Sequence, residues 1–547
     1  MDLQGLQVFD FEALNWNRLY AIGIYNGKEL KILAEPDKDN SYFVKWLLDN
    51  LEPDVIAYAH NGGRYDFLFI FEYLEKLGIG VKPYNLKVIH GSIAQFSLKW
   101  NNKRLIFRDS FLILPMSLKS LTYDFDVEHK KLTMEYNVGI EDKNFSEYFK
   151  NDLMGLYEVL RLSGLTKHLT IASNTMDIFT HIFYKDKMTA NELPIEKLFR
   201  EGYRGGRTEI FKSYGTDLKY YDINSLYPSV MINNEYPLPI KDNFNKVFKI
   251  NRDKLGIYKI NADIENLNIP VLPMRKDNKL IFPIGHISGL YYTSEILKAE
   301  QMGYDISVEY GYEFKKTEPI FKGYIEHFYD IKKHSEGSKK AIAKLMLNSL
   351  YGKFGQRREQ ENYRFIEDGT ISNLNYSAVK YFDSHSNFIH PEIAGMITAN
   401  ARVKLYELFE KAGLNNVYYC DTDSIITDSV LSTSNELGDI KLVDKIKEFI
   451  AISPKLYAYV KTDSEVDIKA RGFKVKELKY EHFVKAHFEQ DYNGFVEERD
   501  RVASFKERFK RRAVNKFADL IVVKKSIKTL YNKRILIDKI NTIPIKV

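Results

Sequence analysis

The stretch KLMLNSLYG, residues 344–352, decides the reading of this chain. Wound as a helix, it puts Lys344, Asn348 and Tyr351 at i, i+4 and i+7, so the three share one stripe. A lysine, an amide and a phenol ring make a poor core pattern. They suit a nucleotide, because lysine pairs with phosphate as a point charge and tyrosine stacks on a base. Two short acidic motifs flank this helix. DINSLYP (222–228) sets Asp222 at the end of the strand-like run LKYYDI, before a turn that Pro228 helps to fix. YCDTDS (419–424) sets Asp421 and Asp423 in a hairpin-like turn between the apolar runs NVYY and SIIT. Two acids two residues apart on a strand share a face, with Thr422 pointing the other way. Aspartates beside apolar strands are costly to bury unless paired or metal-bound, although hairpin turns by themselves also favour Asp and Asn.

The rest of the chain sets bounds. Its 547 residues, 44% hydrophobic and 28% charged, imply two to four domains. Aromatic residues at 14%, with 38 Tyr and 35 Phe, argue against extended disorder. Eighty basic against 74 acidic side chains give a net charge of +6, which permits a nucleic-acid partner without demanding one. The single cysteine, Cys420, excludes an intrachain disulfide and a Cys-based zinc site. No basic-then-apolar leader is visible, and no run approaches the roughly 18 apolar residues that span a bilayer. The expectation is a soluble intracellular protein of a reducing compartment, with no membrane association.

The first 180 or so residues alternate strand-like and helical runs, a mixed α/β pattern. Within them, DFE (10–12) places Asp10 and Glu12 on one strand face. HNGGRYDF (60–67) contains Asp66, and YFKND (148–152) sets Tyr148 one helical turn before Asp152. Short strands and turns punctuated by proline fill residues 235–320, a helix pair follows over 320–350, and a polar segment occupies 357–391. The run ITANARVKLYELFEKAG reads as a helix stopped by Gly413. The last sixty residues carry the basic runs KERFKRR (506–512) and KKSIK (524–528), which alone read as a solvated face.

In order, Asp-x-x-Ser-Leu-Tyr-Pro, Lys-x-x-x-Asn-Ser-x-Tyr-Gly and Tyr-x-Asp-Thr-Asp-Ser resemble motifs A, B and C of the family B DNA polymerases. The spacings, 122 residues from Asp222 to Lys344 and 77 from Lys344 to Asp421, resemble the small protein-primed branch of phages, viruses and linear plasmids. YRGG (Tyr203, Gly205, Gly206), TANAR (Thr398, Arg402) and KLY (Lys455, Tyr457) are similar to further motifs of that branch. The resemblance implies that Asp222 and Asp423 hold two Mg²⁺ ions, replaceable by Mn²⁺, with Asp421 assisting and the Ile223 carbonyl as a further ligand. It implies that Lys344 and Lys332 take the triphosphate, with Leu226 and Asn348 beside it. Tyr227 would lie under the deoxyribose and Tyr351 against the base pair. Contacts to DNA fall to Tyr203, Gly205, Gly206, Lys455 and Tyr457, and contacts to DNA or a priming protein to Thr398 and Arg402.

The earlier acids resemble the three motifs of a DEDD-type 3′–5′ exonuclease, the tyrosine marking its DEDDy variety. By that resemblance Asp10, Glu12, Asp66 and Asp152 bind two metal ions and Tyr148 orients the attacking water. Asn61, Tyr65, Ser117 and Leu118 would hold the frayed primer, and Lys131 corresponds to an auxiliary lysine. Three residues, Gly-Gly-Arg, separate Asn61 from the Tyr65–Asp66 pair, within what that family allows.

The implied architecture is an RNase H-like exonuclease domain (1–187) followed by a right hand, in a mixed α/β and α+β multidomain fold. The palm covers 188–240 and 392–490, the fingers 320–356 and the thumb 491–547. Insertions fall at 241–319, implied to touch a terminal protein, and at 357–391, implied to ring the template. Template-primer DNA, dNTPs and a terminal protein are the implied partners of a monomer in a host cell's cytoplasm. A primer-independent relative, or a nuclease that keeps the polymerase body only to bind DNA, fits the same residues.

Overall fold

The computed structural model describes residues 5–15, 17–77, 86–89, 91–133, 140, 143–364, 377–382, 386–490, 495–503, 507, 520–527 and 533–547. The basic run 506–512, Glu507 apart, and Lys528 lie outside them, as do residues 365–376 and 383–385 of the second expected insertion.

The amino-terminal unit is built on a seven-stranded sheet. Its order is Leu30–Ala34, Arg18–Tyr25, Leu6–Leu14, Ile56–Ala59, Lys103–Asp109, Ser92–Trp100 and Lys87–Ile89. The three central strands are parallel to one another and the flanking pairs antiparallel. Alternation along the first strand sends Phe9 and Phe11 into a core shared with Phe43, Leu47 and Phe67 from the helices Asn40–Asn50 and Asp66–Lys76. That leaves Asp10 and Glu12 on the opposite face. The helix Phe145–Ser163 covers that face with Phe149, Leu153, Leu156 and Leu160, each burial stabilising by roughly 1.5–3 kcal/mol. It stops at Gly164, whose φ of +63° a side chain would strain.

A second seven-stranded sheet, antiparallel throughout, forms the palm. Its order is Val466–Ala470, Leu456–Lys461, Ile440–Ser453, Tyr214–Ile223, Ser424–Thr427, Val417–Asp421 and Thr208–Ile210. The helix Pro391–Ala412 lies against it and is buried along most of its length. It begins six residues before the run from which it is read in sequence, with Pro391 at its first turn. Residues 244–314 form a four-stranded antiparallel sheet, a small hairpin and the helix Thr293–Gln301.

The fingers are the helices Lys322–His334 and Gly337–Phe354. The Tyr324 hydroxyl donates to the Met346 carbonyl at 2.9 Å and ties the two together. Helix Ile171–Ile178 fastens them to the amino-terminal unit. Its Thr175 Oγ1 donates to Met346 Sδ at 3.4 Å, and Lys353 Nζ donates to Ser173 Oγ at 3.1 Å.

The carboxyl-terminal part, expected as the thumb, falls into two pieces among the described residues. Strands Val496–Val502 and Leu520–Ser526 pair as a ribbon. The hairpin of Arg534–Leu536 and Thr542–Pro544 instead returns to the palm, with Ser213 N–H on the Ile540 carbonyl (2.8 Å) and Thr542 N–H on the Phe211 carbonyl (3.0 Å). No described helix is long and apolar enough to cross a membrane.

Candidate active sites

Asp222 ends the strand Tyr214–Ile223, and its cross-strand partner is Ser424. Such partners lie about 5 Å apart, so Asp423 is carried alongside Asp222, and the Ile223 N–H donates to the Asp423 carbonyl at 2.7 Å. The two acids of YCDTDS do not meet by strand alternation. Asp421 closes its strand, Thr422 takes a left-handed φ of +62°, and Asp423 follows within the turn. This corrects the expected geometry; the turn is held by the Thr422 N–H on the Arg207 carbonyl (2.7 Å). Gly206 lies close beneath it: a Cβ there would stand 2.9 Å from Thr422 Cγ2, so the threonine side chain would have to shift. Gly205 faces open space.

Each acid has its own electrostatic setting. Burial, then the Asp222 charge, push Asp423 up to about 6. Asp222 is paired with Lys441, its neighbour on the adjoining strand, at 3.1 Å. Asp421 receives Lys455 Nζ on both oxygens (2.6 and 2.8 Å) and the Thr208 hydroxyl at 3.0 Å. A group of lysines faces the acids. Lys332 donates to Ser225 Oγ at 2.8 Å, and burial followed by the charges of Lys441, Lys344 and Lys340 lowers its pKa. Lys344 and Asn348 stand exposed on one stripe of the fingers helix with half-buried Tyr351, while Ala343, Met346, Leu347 and Leu350 face the core. The rings of Tyr351 and Tyr227 stack at 4.5 Å.

Several residues expected at contacts have buried side chains. Thr398 and Arg402 are buried. Arg402 holds Glu295 and the carbonyls of Arg204 and Gly205, and the Thr398 hydroxyl donates to the Gly395 carbonyl. Tyr457 packs inside the palm against Tyr419 and Phe449. Leu226 and Leu118 have core side chains; at Leu226 only backbone, at the start of helix Leu226–Asn233, faces the site. All five side chains are buried. Half-buried Tyr203 lies against Gly355.

The amino-terminal unit gathers the second set of acids. Asp10, Glu12 and Asp152 bring carboxylate oxygens within 4.8 Å of one another. Asp66, at the first turn of its helix, accepts the Phe11 N–H at 3.3 Å. Burial raises all four, and repulsion from neighbouring acids adds to it at Asp10, Glu12 and Asp66; Glu12 and Asp66 reach about 7, and Asp10 is held well above its ordinary range. Lys131 pairs with Asp152, stands 3.5 Å from the Tyr148 hydroxyl and lies over its ring. The Gly-Gly-Arg stretch forms a single 3₁₀ turn, Gly62–Arg64, where a Cβ on Gly63 would collide with the Ile93 carbonyl at 2.0 Å. Asn61 ends up left-handed, with Oδ1 buried and unpartnered, and Tyr65 packs edge-on to Phe69 at 5.4 Å. Ser117 is exposed and caps the helix Leu118–Asp124.

Sequence reasoning missed three residues. Asp109 accepts the N–H groups of Gly63 and Phe111, bracing the Asn61–Asp66 turn from a neighbouring parallel strand. Tyr20 bonds Glu12 from the second strand. Lys441 is brought to Asp222 only by strand pairing. No local signal distinguishes any of them.

Both clusters suit hard divalent cations, whose ligands are carboxylate oxygens. In the amino-terminal cluster Asp152 Oδ1 is buried without a hydrogen bond, and acids so crowded and desolvated require a compensating positive charge.

The family model for DNA polymerase type B, organellar and viral, matches residues 50–154 and 142–436. A protein of Neurospora intermedia described as a probable DNA polymerase is 28% identical over 563 residues, covering 83% of this chain and 57% of its own. The DNA-directed DNA polymerase of Enterobacteria phage PRD1 is 28% identical over 506 residues, 85% of each chain. The chain spans about half the length of three of the relatives it matches (57%, 41% and 47%). Among solved structures, Phi29 DNA polymerase complexed with primer-template DNA and incoming nucleotide superimposes with a TM-score of 0.77 at 22% identity, over 96% of this chain and all of that one.

Proposed function

The chain belongs to the organellar and viral type B DNA polymerases, and from that membership we propose that it is a DNA-directed DNA polymerase with its own 3′–5′ exonuclease. The observation that carries the synthetic half is the convergence of Asp222 and Asp423 opposite a lysine-lined opening closed by Tyr227 and Tyr351.

In this reading Lys332, Lys344 and Lys441 draw in the triphosphate of a dNTP, and Asn348 lies beside it. The Leu226 N–H, at a helix start, meets a phosphate oxygen. Tyr351 packs against the nascent base pair, and Tyr227 occupies the space a 2′-hydroxyl would need. Mg²⁺ ions, when bound to Asp222, Asp423 and the Ile223 carbonyl, activate the primer 3′-hydroxyl and neutralise charge at the phosphate. Lys455 leaves Asp421 to meet the primer strand, with Tyr457 and Arg402 bracing from behind.

Proofreading uses the amino-terminal site. A frayed 3′ end is gripped by Asn61, Tyr65 and Ser117. The Tyr148 hydroxyl, oriented by Lys131, positions the water that attacks the last phosphodiester while Asp10, Glu12, Asp66 and Asp152 hold Mg²⁺. Residues 241–319 offer a surface for a terminal protein that supplies the first hydroxyl, and residues 357–391 help to retain the template, favouring processive, strand-displacing synthesis by a monomer.

Primer extension and degradation with separate Asp423→Asn and Asp66→Ala variants test the assignment. The first abolishes synthesis and spares degradation; the second does the reverse. Survival of both activities in both variants would overturn it. Protein priming is tested by transfer of a radioactive dNTP to a partner protein on a linear template.

A further inference from the structure

Three buried charges lie beneath the Asp421–Asp423 turn and take no part in the mechanism above. Glu209 is 0% exposed, Arg207 2% and Arg534 2%. Arg207 Nε donates to Glu209 Oε2 at 2.7 Å, its Nη1 donates to the Pro270 carbonyl, and its own carbonyl accepts the Thr422 N–H between the two acids. Glu209 lies in the edge strand Thr208–Ile210, directly opposite Cys420, with Thr208 opposite Asp421.

That edge strand has only one strand neighbour in the sheet, and on its free side the carboxyl-terminal hairpin binds it repeatedly. Lys533 Nζ donates to the Thr208 carbonyl at 2.9 Å, and Thr542 Oγ1 donates to the Ile210 carbonyl at 2.8 Å. Arg534 enters between strand and insertion, holding Asn268 and Thr542, with its guanidinium over Phe211 at 4.9 Å. Burial lowers its pKa to about 10 against the opposing charge of Glu209. An arginine buried this deeply is costly unless its donors are met, and Arg534 meets them on Thr542 and Asn268, which fixes the hairpin against the edge strand and the insertion.

We infer that the hairpin 533–547 is a strap that positions the polymerase carboxylates: Arg534 fixes the hairpin through Thr542 and Asn268, Lys533 and Thr542 hold the edge strand Thr208–Ile210, and that strand holds the turn through the Thr208 hydroxyl on Asp421 and the Arg207 carbonyl on the Thr422 amide. Arg534 and Thr542 are positioning residues; neither touches substrate. The inference rests on reading Asp421 and Asp423 as polymerase acids, and it adds that their alignment depends on a segment over a hundred residues further along the chain.

The test uses full-length Arg534→Met, Arg534→Lys and Thr542→Val, the last removing only a hydroxyl. Amide hydrogen exchange at residues 419–424 should rise about tenfold in Arg534→Met, the scale of one lost buried charge-assisted bond, with partial recovery in Arg534→Lys. Single-nucleotide addition at saturating DNA should fall about tenfold in kcat, while KM for dNTP and single-strand degradation stay within roughly twofold. Should Arg534→Met fail to fold, Thr542→Val decides alone, with a smaller change in the same sense. Unchanged exchange at 419–424 would overturn the strap. So would a loss confined to DNA affinity with kcat intact, which would make the hairpin a grip. If the wild-type chain extends no primer, the polymerase reading falls, and the exchange data still judge the strap.

Discussion

Asp66→Asn should make the cation-free protein more stable above neutral pH. Asp66 is 3% exposed, and burial, offset in part by the Phe11 amide, raises its pKa from the ordinary 3.8 to about 7. A carboxyl whose folded pKa is raised keeps its proton in the folded state after the unfolded chain has released it. Its stabilising effect is therefore complete below the unfolded value and disappears as pH rises through the folded one. Between pH 6 and pH 8.5 a group with these values removes about 1.4 kcal/mol of stability, or roughly 3–6 °C in midpoint for a domain of this size. Asparagine keeps the acceptor for the Phe11 N–H and carries no charge. The assay is thermal unfolding in EDTA at both pH values. Wild type should lose that stability at the higher pH and Asp66→Asn should lose clearly less, the remaining slope coming from Glu12, raised to about 7 beside it. Mg²⁺ or Mn²⁺ should restore the wild type and do little for the variant. The reasoning fails if wild type is equally stable at both pH values in EDTA, or if Asp66→Asn is the less stable at pH 8.5.

Three other outcomes are expected. Lys441→Ala, which removes the partner 3.1 Å from Asp222, should raise KM for dNTP about tenfold with kcat changed less than about threefold, as loss of a charge-assisted contact implies; steady-state extension measures both. Gly206→Ala pushes a methyl to 2.9 Å from Thr422 and should slow synthesis by about ten- to a hundredfold, with degradation of single strands as the unaffected control. Lys131→Ala frees Asp152 and Tyr148 and should slow degradation by a similar factor while sparing extension, read on a labelled single strand.

Where one periodicity decided the matter, the sequence was a sufficient guide. Alternation along Leu6–Leu14 puts Asp10 and Glu12 opposite Phe9 and Phe11, and the helical stripe of Lys344, Asn348 and Tyr351 faces outward as the spacing requires. The turn at Thr422 escaped because a left-handed residue without glycine leaves no mark in the letters. A motif does not say which of its side chains lie at the surface, and the burial of Arg402 and Tyr457 is a fact of the fold alone. Lys441 and Asp109 reach their sites only through strand pairing, and Arg534 only through a hairpin that closes onto a distant edge. These are long-range facts, absent from any local window.

Cys420, the chain's sole thiol, sits on the strand leading into the Asp421 turn, fully buried and pushed up to about 12 by that burial. A thiol so enclosed and so reluctant to ionise is a poor target for maleimide or iodoacetamide. The wild-type background is therefore silent toward fluorescent labelling. Cysteines engineered at Lys340 on the fingers and at Phe248 beyond the palm, both exposed, would accept a donor–acceptor dye pair without any prior cysteine removal, opening finger motion to single-molecule observation.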